Sequence, residues 1–111
     1  MDHAVAFAKL LVKATHEAGL AASQKNTPEL ATVGKQDIGF DFVTTEECDR
    51  YSECTAYAEV YGKHVLDIEY TDDLRGDFFE ICSRDTTPQQ TVLRDRDLAP
   101  RGTTGHISER C

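Results

Sequence analysis

The sequence lacks any apolar run approaching the ~20 residues that a membrane-spanning helix needs, so no membrane span is expected. It lacks an excess of basic residues: 12 Lys and Arg stand against 20 Asp and Glu, for a net charge of −8. That balance argues against nucleic acid, whose phosphates attract basic surfaces, and suits a cationic or neutral partner. None of its four cysteines forms a C-x-x-C, and His3, His16, His64 and His106 form no H-E-x-x-H. A zinc site is therefore not expected, and nothing in the residues implies another metal or a cofactor. No basic n-region followed by an apolar h-region marks a secretory signal, because Met1 leads directly into a helical pattern. No linker or low-complexity tract divides the chain, so its 111 residues read as one unit with a modest core.

What is present reads as globular, with 40% hydrophobic and 29% charged residues. Apolar residues at Val5, Phe7, Ala8, Leu11, Val12, Ala14 and Ala18 predict a helix from Asp2, as a possible N-cap, to a stop at Gly19. Residues 20–26 read as a short strand. Thr27 as N-cap and Pro28 at the first helical position open a second helix to about Val33, followed by a polar turn over 35–39. A strand then covers 40–45, a helix about 53–61 ended by Gly62, and a strand 63–70. A helix over 73–83 presents Leu74, Phe78, Ile81 and Cys82 on one face, and a last strand covers 90–95. The tail from Pro100 reads as irregular. Four helices alternating with four strands predict an α/β fold with a parallel sheet and right-handed crossovers. Two architectures fit that order: a small open doubly wound sheet, or half of a (β/α)8 barrel, whose full form needs roughly 200–250 residues.

Each strand ends in polar groups: Lys25 and Asn26, Glu46 and Glu47, Glu69 and Tyr70, Arg94 and Asp95. In parallel α/β folds the carboxyl ends of the strands line the active site, although a strand leaving a core also turns polar simply because it meets water. The segment FDFVTTEECDRYSEC, residues 40–54, concentrates the question, since a half-buried strand runs into two carboxylates and a loop bracketed by Cys48 and Cys54. With Cys82 and Cys111 the cysteine count is even, which fits two disulfides in an exported protein or four thiols in a reducing compartment. In the strand 63–70, Leu66, Ile68 and Tyr70 make the more apolar face. If that face packs on the helices, Val65, Asp67 and Glu69 point into the mouth.

Four ordered motifs carry a family resemblance: Lys25-Asn26, Thr45-Glu46-Glu47-Cys48, Tyr51-Ser52-Glu53-Cys54 and Ile68-Glu69-Tyr70. With the flanking GLAASQKNTPEL and the tail TVLRDRDLAPRGTTGHISERC, they resemble glycoside hydrolase family 114, the endo-α-1,4-polygalactosaminidases, a secreted (β/α)8-barrel family. The resemblance covers the second half of the family domain, from the fourth helix to the eighth strand. It implies that residues 1–111 are the C-terminal half of a barrel: a truncated product, a misplaced start or a decayed copy. The catalytic acid at the end of the family's fourth strand has no counterpart here.

The same resemblance implies Glu46 as one of the paired carboxylates that cleave a glycosidic bond, and it prefers Glu46 over Glu47 because relatives often carry an amide at the second position. It implies substrate contacts from Lys25, Asn26, Glu69 and Tyr70, with Lys25 able instead to pair with a mouth carboxylate, and Tyr70 or Tyr51 able to stack on sugar rings. It implies the pairing Cys48–Cys54, in keeping with their short separation, with Cys82–Cys111 as the second link. The implied substrate is a partly deacetylated galactosaminogalactan, a polycation suited to an acidic chain. Open sheet edges at 20–26 and 90–95 would favour self-association. A non-catalytic carbohydrate-binding remnant and a small open-sheet regulatory domain are the alternatives, the second without a glycine-rich phosphate loop after its first strand.

Overall fold

The computed structural model of the chain describes residues 2–111. The first helix, α1, spans Asp2–Glu17. Asp2 lies within its first turn, facing the positive end of the helix dipole, rather than ahead of the helix as a cap. No helix among the described residues is long and apolar enough to cross a membrane. β1 follows at Ser23–Lys25. The next helical stretch is longer than the sequence pattern suggests. A tight 3-10 turn at Pro28–Leu30, α2 at Ala31–Val33 and a wide π-turn at Gly34–Ile38 run on without a break. Residues expected as a polar turn are therefore helical up to Ile38. Gly39, at φ +99, stops them, and the amides of Gly39 and Phe40 both donate to the Gly34 carbonyl, at 2.9 and 3.0 Å. Thr27 does not act as a cap; it is left-handed, and its side chain makes no capping bond.

β2 spans Phe42–Glu46, α3 Cys54–Tyr61 and β3 Val65–Tyr70. α4 is confined to Phe78–Ser83, shorter than expected, because Asp77 caps it there by accepting from the Glu80 amide at 2.8 Å. β4 covers Gln90–Arg94. The tail expected to be irregular ends in a fifth strand, β5, at Ser108–Arg110.

β1 to β4 are parallel and lie side by side in chain order. A doubly wound sheet reverses its strand order at a switch point. An unreversed order with right-handed crossovers keeps the helices on one face, as in the wall of a barrel. The open regulatory sheet is thereby set aside, and the chain is half of a (β/α)8 barrel. β5 lies antiparallel along the outer side of β4. The edge expected to be open at 90–95 is therefore covered, and β1 and β5 are the outer strands. Cys82–Cys111 ties the end of β5 to α4, and the Cys111 amide donates to the Thr91 carbonyl at 3.0 Å.

The core lies between sheet and helices, where Val43 and Val65 meet Ala31, Tyr57 and Tyr61. The Cys48–Cys54 disulfide is buried in the same cluster and closes the loop between the end of β2 and the start of α3. Strand alternation places Asp67 and Glu69 on this helix-facing side, 1% and 0% exposed. This reverses the expected orientation of β3, and Glu69 does not reach the mouth. Apolarity misled because a strand of a closed barrel is apolar on its inner face too, so the more apolar face need not be the helix-facing one.

The two acids are accommodated by donors around them. Asp67 Oδ1 accepts from Thr45 Oγ1 at 2.8 Å and the Cys48 amide at 3.2 Å, and Glu69 Oε2 accepts from the Asp49 amide at 3.1 Å. Glu69 Oε1 and Asp67 Oδ2 have no donor among the described residues. Burial first, and the adjacent Asp67 second, push Glu69 above the ordinary carboxyl range, so that it keeps its proton.

Two outcomes are expected. Cys111→Ser should free β5 and destabilise the chain by about 3 kcal/mol, the scale of a clip closing a loop of this size, as read from urea unfolding under non-reducing conditions. An unchanged urea midpoint would show that the clip contributes nothing. Because Glu69 holds its proton more tightly folded than unfolded, its contribution is complete below about pH 4 and declines as pH rises through neutrality. Glu69→Gln cannot titrate, so the variant should lose less stability than the parent between about pH 5 and about pH 8. Parallel losses in the two proteins would contradict this.

Candidate active site

On the side of the sheet away from the helices, paired register positions share a face. Ser23 lies beside Phe42, Lys25 beside Thr44, Glu46 beside Ile68, and Tyr70 beside Arg94. Ser23 and Thr44 join their hydroxyls at 2.8 Å across that face. It is an open surface, with Leu66 39% exposed, and it leads up to the carboxyl ends of the strands.

Glu46 stands there at the last position of β2. Its Oε1 accepts from the Tyr70 hydroxyl at 2.7 Å, and its Oε2 accepts from Lys25 Nζ at 3.0 Å and Asn26 Nδ2 at 3.3 Å. Its own amide donates to Asn26 Oδ1 at 2.7 Å. The Tyr70 bond first, and the Lys25 bond second, hold the Glu46 carboxyl below its ordinary range against the opposing effect of partial burial. Tyr70 in turn is pushed up to about 12 by burial and by donating its hydrogen bond to the Glu46 carboxylate, so it remains a protonated donor. At neutral pH Glu46 is thus an ionised, oriented carboxylate.

The helix side of the sheet supports this arrangement. Asn26 and Thr27 are consecutive left-handed residues, at φ 52 and 67, which is unusual for a β-branched threonine. Buried Gln24 holds them: its Nε2 donates to the carbonyls of Asn26 at 2.8 Å and Thr27 at 3.1 Å, while its Oε1 accepts from the Tyr61 hydroxyl at 2.7 Å. Gly34 makes room for this, since a Cβ there would collide with the Gln24 carboxamide and lie 3.1 Å from the Tyr61 hydroxyl. Backbone strain thereby aims Asn26 at Glu46.

Glu47 turns away at φ 59, its amide donating to the Ile68 carbonyl at 2.7 Å. Arg96, just past β4, engages it at 2.9 Å and also binds Asp72 at 2.7 Å. The Arg96 guanidinium lies 4.1 Å from the centroid of the Tyr70 ring.

Lys25, Asn26, Glu46 and Tyr70 are therefore brought together, Tyr70 on the face expected to meet the helices, and Lys25 pairs with the Glu46 carboxylate. Glu69 is not part of this group. Tyr70 is 5% exposed and carries a guanidinium on its ring, so it serves as a hydrogen-bond donor and not as a sugar-stacking platform. Tyr51 is 57% exposed, on the loop after β2. Gln24 and Arg96 were not anticipated. Strand alternation between Ser23 and Lys25 would have placed Gln24 on the buried face, whereas nothing local distinguishes Arg96. Cys48, Cys54 and Asp67 lie close enough together to suggest a metal centre, but both sulfurs are spent in a disulfide and offer no thiolate.

Comparison with known proteins agrees with this geometry. In fold, the chain is similar to the crystal structure of Aspergillus fumigatus Ega3 in complex with galactosamine, with a TM-score of 0.70 at 21% identity. The match covers 96% of this chain and 44% of that one, so the chain spans less than half the length of the solved relative. No curated protein matches. The model of glycoside hydrolase family GH114 matches residues 1–111, the whole length that carries the strand-end motifs, and the chain belongs to that family.

Proposed function

We propose that this chain is the C-terminal half of a barrel domain and supplies one of the two carboxylates, Glu46, with which an endo-acting hydrolase cleaves α-1,4-linked galactosamine polysaccharide. The observation that carries this reading is the convergence of Tyr70, Lys25 and Asn26 on one carboxylate at a strand's carboxyl end. A carboxyl held ionised in this way is suited to attack or stabilise the electron-poor anomeric carbon, or to take a proton from water. The partner that protonates the leaving oxygen needs a raised pKa instead. Lys25 keeps Glu46 charged and would repel a cationic amino sugar if it faced one directly, so its role is directed at Glu46. The second amide hydrogen of Asn26 remains for a sugar hydroxyl.

The amino-sugar substrate class is supported by the galactosamine bound to the solved relative and by the −8 net charge, which would concentrate a polycation. Two disulfides support an extracellular setting. The acids at neighbouring strand ends are already engaged. Glu47 and Asp72 bind Arg96, and Glu69 is buried. Asp95 accepts from the amides of Ala99 at 2.7 Å and Ile107 at 3.0 Å, which lowers it to about 2. The leaving-group acid is therefore assigned to the other half of the barrel. Phe7 and Leu10, 62% and 66% exposed on α1, together with the open inner face, are surfaces for that half to cover.

In a protein with the barrel completed, Glu46→Gln should reduce hydrolysis of deacetylated galactosaminogalactan at least ~10²-fold with the fold intact, and Glu47→Gln should cost less. Equal, small effects would remove Glu46 from the mechanism. The isolated chain should release no sugar and should self-associate through its exposed faces, as judged by reducing-sugar assay and sedimentation. A monodisperse monomer with Glu46-dependent turnover would overturn the half-barrel reading.

A further inference from the structure

We propose that Arg96 is a positioning residue for Glu46, holding the Tyr70 ring from behind so that the phenol hydroxyl stays on the carboxylate. The proposal rests on the reading of Glu46 as the reacting carboxylate, but its test needs no turnover. Arg96 meets three partners with one planar group. Its Nη1 donates to Glu47 Oε1 at 2.9 Å, while its Nε and Nη2 donate to Asp72 at 3.1 and 2.7 Å. Its central carbon sits over the Tyr70 ring, 4.1 Å from the centroid. Glu47 directly follows Glu46, and Asp72 lies two residues beyond Tyr70. Arg96 thus fastens the ends of β2, β3 and β4 around the shortest bond that Glu46 accepts, the 2.7 Å bond from Tyr70.

The chemistry favours arginine at this point. A guanidinium donates along its edges while its face stacks on an aromatic ring, and an ammonium cannot do both. A cation on the ring also makes the phenol a better donor, opposing the effect of burial. In addition, Arg96 neutralises Glu47, the residue next to Glu46, and Asp72 at the end of the neighbouring strand. Left unpaired, Glu47 and Asp72 would disfavour the ionised form of Glu46. The groups around Glu46 are then Lys25 and Asn26 from the end of β1, Tyr70 from β3, and Glu47, Asp72 and Arg96 beyond the ends of β2, β3 and β4.

The test is a carboxyl-carbon NMR titration of Glu46 in the chain itself, in the parent and in Arg96→Gln, Arg96→Lys, Tyr70→Phe and the Arg96→Gln/Tyr70→Phe double variant. Arg96→Gln should raise the Glu46 midpoint by about half a pH unit or more. Arg96→Lys should leave most of that rise in place, because it restores charge without restoring the stack and the bridge. The double variant should shift by less than the sum of the two single variants, since both remove the same bond. Should Arg96→Gln lose its amide dispersion, Arg96→Lys carries the test alone. In a completed barrel, Arg96→Lys should lower kcat several-fold with little change in KM. Absence of hydrolysis in the parent would sink the polygalactosaminidase reading and leave the titration result standing. An unmoved midpoint in the Arg96 variants, a full return to the parent midpoint in Arg96→Lys, or strictly additive shifts would overturn the positioning role.

Discussion

The pairing of β2 with β3 sets the address of every side chain that matters here. Thr45 lies beside Asp67 and Glu46 beside Ile68, so Glu46 faces the open side while Thr45 faces the helices. A slip of one residue would exchange the two faces and drive Glu46 into the core. Several interactions oppose such a slip. Val43 and Val65 are both buried in the helix-facing cluster, Thr45 donates to Asp67 at 2.8 Å, and the Glu47 amide closes on the Ile68 carbonyl at 2.7 Å. The buried acids of β3, costly to desolvate, thus help to specify the register that presents the exposed one.

Around that register the site is braced from two directions. From the helix layer, Gly34 admits Gln24, which restrains Asn26 and Thr27 in conformations costing on the order of 1–3 kcal/mol each. Gln24 offsets part of this with three hydrogen bonds, each worth about 1 kcal/mol net. From the far side, Arg96 spans the ends of three strands and packs on Tyr70. Glu46 is therefore held ionised and oriented without rearrangement.

The two faces of the sheet are unequally finished. The helix side is a packed core with a buried disulfide and a buried Glu69 that keeps its proton. The inner side exposes Leu66 and ends in the polar strand tips. β5, tied down by Cys82–Cys111, covers the outer side of β4, so the sheet does not present a bare parallel strand there.

Sequence periodicity was enough for the alternation of helices and strands, because that depends on local pattern, whereas the half-barrel class and the choice of Lys25, Asn26, Glu46 and Tyr70 came from the resemblance of the strand-end motifs to a known family. Both disulfide pairings followed from the family motifs. The orientation of β3 did not follow. A barrel strand is apolar toward the inside of the barrel as well as toward the helices, so apolarity gave no local signal of which side meets the helices, and Glu69 was accordingly misplaced. β5 was invisible because a three-residue exposed strand exists only through its pairing with β4 and its disulfide. The roles of Gln24 and Arg96 were hidden for a similar reason: Arg96 reaches Glu47 across 49 positions and Tyr61 reaches Gln24 across 37. Local propensity places a side chain on its own element, but only the packed sheet decides which distant groups it meets.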